Sequence, residues 1–258
     1  MKLTPDQVKA FDNEGYLFLP QLFSAEEVRV LRDEVPRLYA EHRPENVREK
    51  NSDAVRTNFA AHTYNQVYRM LGRHPRLIEP AEQLLGEKIY IHQFKINGKA
   101  AFDGDVWQWH QDYGTWLNDD EMPTPRAMNL AVFLEDVNEF NGPLMFIPRS
   151  HRQGVLPAGH DVNTTSYPLW TLDKQKITEL VEAGGLVAPK GPAGSALMFH
   201  CNLVHASGSN MTPWNRTIVY ISANTVSNHI RRFQRPDYIA HRDFTPIECL
   251  PDDCLQHA

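Results

Sequence analysis

The 258-residue chain is poor in cysteine, carries no excess of positive charge and contains no long apolar run. Each lack removes a class of protein. Cys201, Cys249 and Cys254 are too few and too irregularly spaced for a disulfide framework or a zinc finger, and they fit a reducing, cytoplasmic setting. No stretch approaches the ~18 apolar residues of a membrane span. The opening MKLTPDQVKAFDNEGY lacks the apolar segment of a signal peptide, so none is expected. With 26 Lys+Arg against 32 Asp+Glu the formal charge is -6, which argues against nucleic acid or an anionic membrane surface as partner. Histidine is the count that stands out, at twelve, and the question is whether any of these converge.

Thr4-Pro5-Asp6-Gln7 reads as a helix start, with an N-cap, Pro in the first turn and a capping-box amide. That helix runs to about Asn13 and ends at Glu14-Gly15. YLFLPQLF (16–23) is expected to form a short strand and turn. Ser24 to Glu27 is a second capping box, opening a helix with Val28, Leu31 and Val35 at helical spacing. Residues 41–56 are charged and poor in apolar side chains, so a surface loop is expected there, placed where it could act as a lid. A further helix is predicted over 74–86, stopped by Gly86. Beyond Ile89 the pattern changes to short β-rich runs, at 88–97, 126–137, 142–150, 194–200 and 216–226, divided by turn signals such as Asn97-Gly98 and Asn141-Gly142-Pro143. Short strands of this kind imply a sandwich or barrel rather than a parallel βαβ sheet. Residues 151–190 look like an insertion with one helix near 173–184. The chain is read as one domain, 1–258: a helical flank over about 1–87, a β core over about 88–226 and a C-terminal segment, 227–258.

The densest segment is GDVWQWHQDYGTW (104–116). His110 and Asp112 are two apart in what reads as a strand end, so a period of two puts imidazole and carboxylate on one face. His200 and His205 lie far downstream. By parity His200 falls on the opposite face and is not counted as a ligand. Two histidines and one carboxylate on one face of an ion leave its other positions open, the arrangement of non-haem iron(II) oxygenases. Taken alone an H-x-D pair is commonplace, and twelve histidines make a third partner easy to find. Arg216, eleven residues after His205, changes the balance. A buried strand IVYISA (218–223) follows it, and its guanidinium could hold a dicarboxylate's far end bidentately.

The combination H-x-D…H…R resembles the iron(II)- and 2-oxoglutarate-dependent oxygenases, and more narrowly the phytanoyl-CoA dioxygenase-like family. The resemblance extends over most of the chain: DNEGYLFLPQLFSAEEV, YIHQFKIN, WHQDYGTW, FNGPLMFIPRSH, GPAGSALMFH and VHASGSNMTPWNR. Within that family the chain is most similar to bacterial hydroxylases of free amino acids, such as the L-proline trans-4-hydroxylases and the leucine 5-hydroxylase, and it is also similar to the ectoine hydroxylases. The resemblance implies a double-stranded β-helix (jelly-roll, cupin-like) core. It implies Fe(II) held by His110, Asp112 and His205, with 2-oxoglutarate and O2 as cosubstrates. Arg216 would pair with the distal carboxylate of 2-oxoglutarate, and Asn97, Ser207 and Thr217 would lie near it. Gln93, Trp116 and Tyr220 would line the substrate cavity. Arg242, in HRDFTP, would meet a substrate carboxylate.

Two departures weaken an ectoine reading: Ile218 stands where ectoine hydroxylases carry Asn, and His200 where they carry Asp. Asp112 itself points to hydroxylation, since related halogenases have Gly or Ala there. The expected substrate is a small molecule, first a zwitterionic amino acid and second an ectoine-like or natural-product compound. The alternative of another class is a non-catalytic, cupin-like metal-binding protein, which would have no use for the Arg216 clamp.

Overall fold

The computed structural model describes residues 1–257. Its strands, in chain order, are β1 (Tyr16–Leu19), β2 (Asn46–Arg48), β3 (Val55–Phe59), β4 (Ile89–Lys99), β5 (Trp107–His110) and β6 (Ala127–Phe133), then β7 (Leu144–Phe146), β8 (Gly159–Asp161), β9 (Leu169–Thr171), β10 (Ala196–His200), β11 (His205–Ser207) and β12 (Arg216–Thr225). The helices are α1 (Pro5–Glu14), α2 (Ala25–Ala40), α3 (Ala61–Tyr64), α4 (Gln66–Leu71), α5 (Pro75–Leu85), α6 (Asp112–Asp120) and α7 (Lys174–Gly184). Both expected capping boxes form, Thr4 with Gln7 and Ser24 with Glu27. Gly15, at φ 84, closes α1 in the left-handed region that glycine occupies without strain.

The larger sheet has the order β1-β10-β6-β12-β4-β3-β2, and the smaller β7-β11-β5-β9-β8. Neighbouring strands pair antiparallel throughout, for example β12 with β4 and β6, and β11 with β5. This is a double-stranded β-helix core with helices packed on the outer face of the larger sheet. The alternation along each strand decides what meets what. Leu130, Val132, Val219 and Ile221 join Val28, Leu31, Leu77 and Ile78 of the helices in one apolar cluster. Ala131, Phe133, Ile218 and Tyr220 face the other way, toward Leu144 and Phe146 of the smaller sheet. β6 and β12 are therefore buried along their whole lengths, which explains why they read as continuous apolar runs rather than alternating ones.

Three expectations need correction. Residues 41–56 are only partly a loop: 41–45 and 49–54 are irregular, but β2 and β3 form a hairpin that extends the larger sheet, with Asn58 opposite Ile96. Its charges hid its burial. Arg56 and Glu49 are both buried and ion-paired at 3.0 Å. Asp112 does not continue a strand; β5 stops at His110, and Asp112 is the first residue of α6. His200 and His205 do not share a strand either. They belong to different sheets, and His200 packs against His151 with ring centroids 5.3 Å apart. No helix among the described residues is long and apolar enough to cross a membrane.

Candidate active site

The smaller sheet supplies two imidazoles. His205 of β11 lies directly opposite His110 of β5 in the antiparallel register, with ring centroids 4.1 Å apart. Each ring has its Nδ1 against the carbonyl two residues before it, His110 on Gln108 at 2.6 Å and His205 on Leu203 at 2.9 Å. A carbonyl only accepts, so each Nδ1 carries the proton and each Nε2 is left with its lone pair. Both Nε2 atoms face Asp112, at 3.4 Å for His110 and 3.7 Å for His205. One ligand atom from each of the three residues lies within 4.8 Å of the others.

Asp112 is placed by a turn from strand to helix. Gln111, buried at the N-cap, donates to the carbonyls of Gly154 and Asn202 and accepts from the Leu156 N–H. The first helical position suits a carboxylate, because the unpaired N–H groups of the first turn favour negative charge. Asn129 donates to Asp112 Oδ2 at 2.6 Å and accepts from Ser222 Oγ at 2.7 Å. Burial alone would raise the Asp112 carboxyl, but the Lys95 ammonium works against burial and the carboxyl is held well below the usual carboxylate range. Burial, with His110 alongside, pushes His205 down to about 3. The set is a carboxylate and two imidazoles oriented by backbone carbonyls, which is the donor chemistry a divalent iron takes.

The larger sheet faces this triad. Beyond a β-bulge at His92, regular alternation puts Gln93, Lys95 and Asn97 together on the inner face of β4, opposite Ser222, Tyr220 and Ile218 of β12. Arg216, at the head of β12, is fully buried and donates to the Gly142 carbonyl. Gly142 has φ 73, and a Cβ there would sit 2.6 Å from the Gly208 carbonyl, so glycine is required for this approach. Burial pushes the Arg216 guanidinium down, while Tyr220 beside it works the other way. Arg216 Nε, Asn97 Oδ1 and Ser207 Oγ are buried with no partner in the protein. Buried polar atoms are nearly always paired; the Arg216 Nε–H and the Ser207 hydroxyl are donors that would suit a carboxylate, while Asn97 Oδ1 would need a donor.

The cleft in front of the triad is narrow, with a cavity volume of about 50 Å³. Gln93, Asn97, His110, Asp112, Trp116, His205, Ser207 and Tyr220 line it, as expected from the sequence. Trp116 Nε1 donates to Gln93 Oε1 at 3.2 Å, and Gln93 donates on to the Ile239 carbonyl. Three expected residues are not in the lining, the first being Arg216, whose buried guanidinium lies on the Gly142 carbonyl. Thr217 has the opposite parity to Arg216 and turns to the outer face, where its N–H meets the Glu135 carboxylate. Arg242 is exposed, and its guanidinium donates to the carbonyls of Phe233 at 2.9 Å and Arg235 at 3.1 Å.

The lining also includes residues that sequence reasoning missed: Phe59, Lys95, Trp107, Thr115, Tyr167 and Arg235. Lys95 was legible, since it sits between Gln93 and Asn97 on one strand face. The others reach the cleft from the β2–β3 hairpin (Phe59), the start of β5 (Trp107), α6 (Thr115) and two irregular connections (Tyr167 and Arg235).

A family model described as phytanoyl-CoA dioxygenase matches residues 11–218. The ectoine dioxygenase of Bordetella bronchiseptica is 38% identical over 255 residues, covering 93% of this chain and 83% of its own. The L-proline trans-4-hydroxylase of Streptomyces griseoviridis is 36% identical over 255 residues, covering 95% of each. Among solved structures, EctD from S. alaskensis with 2-oxoglutarate and 5-hydroxyectoine superposes with a TM-score of 0.86 at 34% identity, covering 96% of this chain and 87% of that one. The same enzyme with bound Fe gives a TM-score of 0.85 at 33% identity with the same coverage.

Proposed function

Because the chain belongs to the phytanoyl-CoA dioxygenase family of Fe(II)- and 2-oxoglutarate-dependent oxygenases, we propose that it hydroxylates an unactivated C–H of a small zwitterionic carboxylic acid, a free amino acid such as L-proline before an ectoine-like ring. The observation that carries the reading is the pairing of the His110, Asp112, His205 triad with the orphaned donors and acceptors of Arg216, Asn97 and Ser207. The triad would hold the iron, and Arg216, Asn97 and Ser207 the 2-oxoglutarate. Iron and 2-oxoglutarate together would activate O2, the oxidant, one of whose oxygen atoms would enter the substrate C–H bond and the other succinate as 2-oxoglutarate loses CO2.

The protein's own residues bind, orient and exclude water. Ser222 and Asn129 fix the Asp112 carboxylate, and the carbonyls of Gln108 and Leu203 fix the two imidazole tautomers. No general base is called for, and both imidazoles are committed to ligation. Phe59, Trp107, Trp116 and Tyr167 give the cleft apolar walls. Lys95 and Arg235 line it, while Asp112 is its only carboxylate among the described residues. That charge pattern supports an anionic group on the substrate. With no free carboxylate to receive a strongly hydrated primary ammonium, a ring amine resting on aromatic faces is favoured.

An ectoine-like substrate is the second reading, favoured by the 38% identity to an ectoine dioxygenase. Against it, Ile218 packs with Ala131 and Phe133 in the apolar cluster where ectoine hydroxylases have a polar side chain. Incubating the Fe(II)-loaded protein with 2-oxoglutarate, O2 and a panel containing L-proline, L-leucine and ectoine tests the proposal. Mass spectrometry should find a gain of one oxygen matched by succinate. Succinate production that no panel member stimulates would overturn the substrate class.

A further inference from the structure

The carboxylate of Asp112 is gripped from the opposite sheet. Asp112 opens α6 beside the two imidazoles of the smaller sheet, yet the group on its Oδ2, at 2.6 Å, is the amide of Asn129, on β6 of the larger one. Asn129 in turn accepts from the Ser222 hydroxyl at 2.7 Å, and Ser222 is its cross-strand partner on β12. Asn129 is the single polar residue of β6, AMNLAVF, and both it and Ser222 are completely buried. A polar side chain in the middle of a buried strand is costly unless it is paired, and this one spends its amide on a carboxylate of another element.

The donor order in this chain is fixed. A carboxylate only accepts, and the Ser222 O–H occupies the Asn129 amide oxygen, so the amide can offer Asp112 only its NH2. Oδ2 is thereby engaged. Oδ1 is left, 3.4 Å from His110 Nε2, the shorter of the two imidazole–carboxylate approaches. Partners of this kind orient a ligand for its metal. A carboxylate free to swing can give both oxygens to one cation and would then consume a coordination position. Resting on the reading of His110, Asp112 and His205 as the iron ligands, we propose that Asn129 is a positioning residue, locked by Ser222, that turns Asp112 so that Oδ1 alone is given to the ion. The positions this spares are those that 2-oxoglutarate and O2 require.

The test titrates Co(II) into the metal-free protein and reads both its affinity and its visible absorption, which reports the number and arrangement of its ligands. Asp112→Ala, which lacks the carboxylate, sets the floor. Asn129→Leu, which keeps the volume and removes the amide, should bind Co(II) ~10-fold to 100-fold more weakly than the wild type, with an altered spectrum. Ser222→Ala does not touch Asp112, but it frees the amide to turn its oxygen toward the carboxylate and should weaken binding in the same direction. The double variant should lose no more than Asn129→Leu alone, because the hydroxyl acts only through the amide. Asn224, another fully buried asparagine, donates to the Tyr90 hydroxyl at 3.0 Å and the Asn228 carbonyl at 2.9 Å; Asn224→Ala should lower the melting temperature and leave Co(II) binding unchanged. If Asn129→Leu does not fold, Ser222→Ala decides by its affinity and spectrum. Wild-type affinity and spectrum in Asn129→Leu or Ser222→Ala, losses that add in the double variant, or an equal loss in Asn224→Ala overturns the proposal and leaves the ligand reading standing. A wild type that binds Co(II) no better than Asp112→Ala overturns both.

Discussion

His205 stands directly across the β5/β11 pair from His110, and each ring is turned by a carbonyl of its own strand so that both Nε2 atoms point at Asp112. The register of one short strand pair thus joins residues far apart in the chain into half of a metal centre before any ion arrives. Most of the fold beneath it serves to keep that register.

Metal binding should accordingly stabilise the folded chain without reshaping it. At one hundred times its dissociation constant, a divalent ion adds about 2.7 kcal/mol. Mn(II) is expected to raise the melting temperature of the wild type and to leave that of Asp112→Ala or His205→Ala unchanged. Calorimetry with and without the ion checks this. An equal rise in the Asp112→Ala variant would place the ion elsewhere.

The alternation of β12 gives a sharper test of the cosubstrate cradle. Arg216 and Thr217 are adjacent but face opposite sides of the sheet. Arg216→Lys, which loses the planar fork, and Ser207→Ala should weaken 2-oxoglutarate binding by ~10-fold or more for the arginine and less for the serine. Thr217→Val should leave the KM for 2-oxoglutarate at its wild-type value, since its side chain is not in the cleft.

The β2–β3 hairpin is rooted rather than free. Glu49 and Arg56 are paired inside it, and the Arg56 guanidinium lies 3.9 Å from the centre of the Trp107 ring, which lines the cleft. Arg56→Ala strands a buried carboxylate and should destabilise the protein by about 3–5 kcal/mol. Hydrogen exchange over 46–59 should be slow in the wild type and fast in the variant. Fast exchange in the wild type would restore the picture of a mobile lid.

Acid should destabilise the metal-free chain earlier than carboxylate titration alone would. Burial pushes His200 and His241 down from 6.5 to about 4. Between those values the unfolded chain binds protons that the folded chain refuses, so stability rises with pH across that window. The contribution is complete above about 6.5 and is lost as pH falls toward 4, at roughly 1.4 kcal/mol per pH unit for each group. Melting temperature against pH should show this slope, and His241→Gln should flatten it. A flat profile down to pH 4.5 in the wild type would contradict it.

How far the sequence reveals this molecule depends on the kind of signal. Capping boxes are local, and Ser24 with Glu27 predicts the start of α2 to the residue. Strand parity is also local, and it places Gln93 and Asn97 together correctly because the bulge at His92 falls outside that interval. It fails for His110 and Asp112, where the same-face outcome arises from a strand-to-helix turn pinned by Gln111, and it was not applied to Thr217. The hairpin at 46–59 escapes notice because Arg56 and Glu49 are buried as a pair, so their charge reads as exposure. Arg235 is the clearest omission. Its partner Asp120 is 115 residues away, and no periodicity links a coil residue to the far end of a helix. Resemblance named an arginine in the same segment, but the one it named supports the turn rather than the cleft.

The most direct test of the whole account is an anaerobic titration of 2-oxoglutarate into the Fe(II)-loaded wild type, read by visible absorption. The account predicts a weak charge-transfer band that saturates at one 2-oxoglutarate per chain and requires far higher 2-oxoglutarate in Arg216→Ala. A folded, iron-loaded protein that shows no band, or an Arg216→Ala variant that saturates as the wild type does, would contradict it.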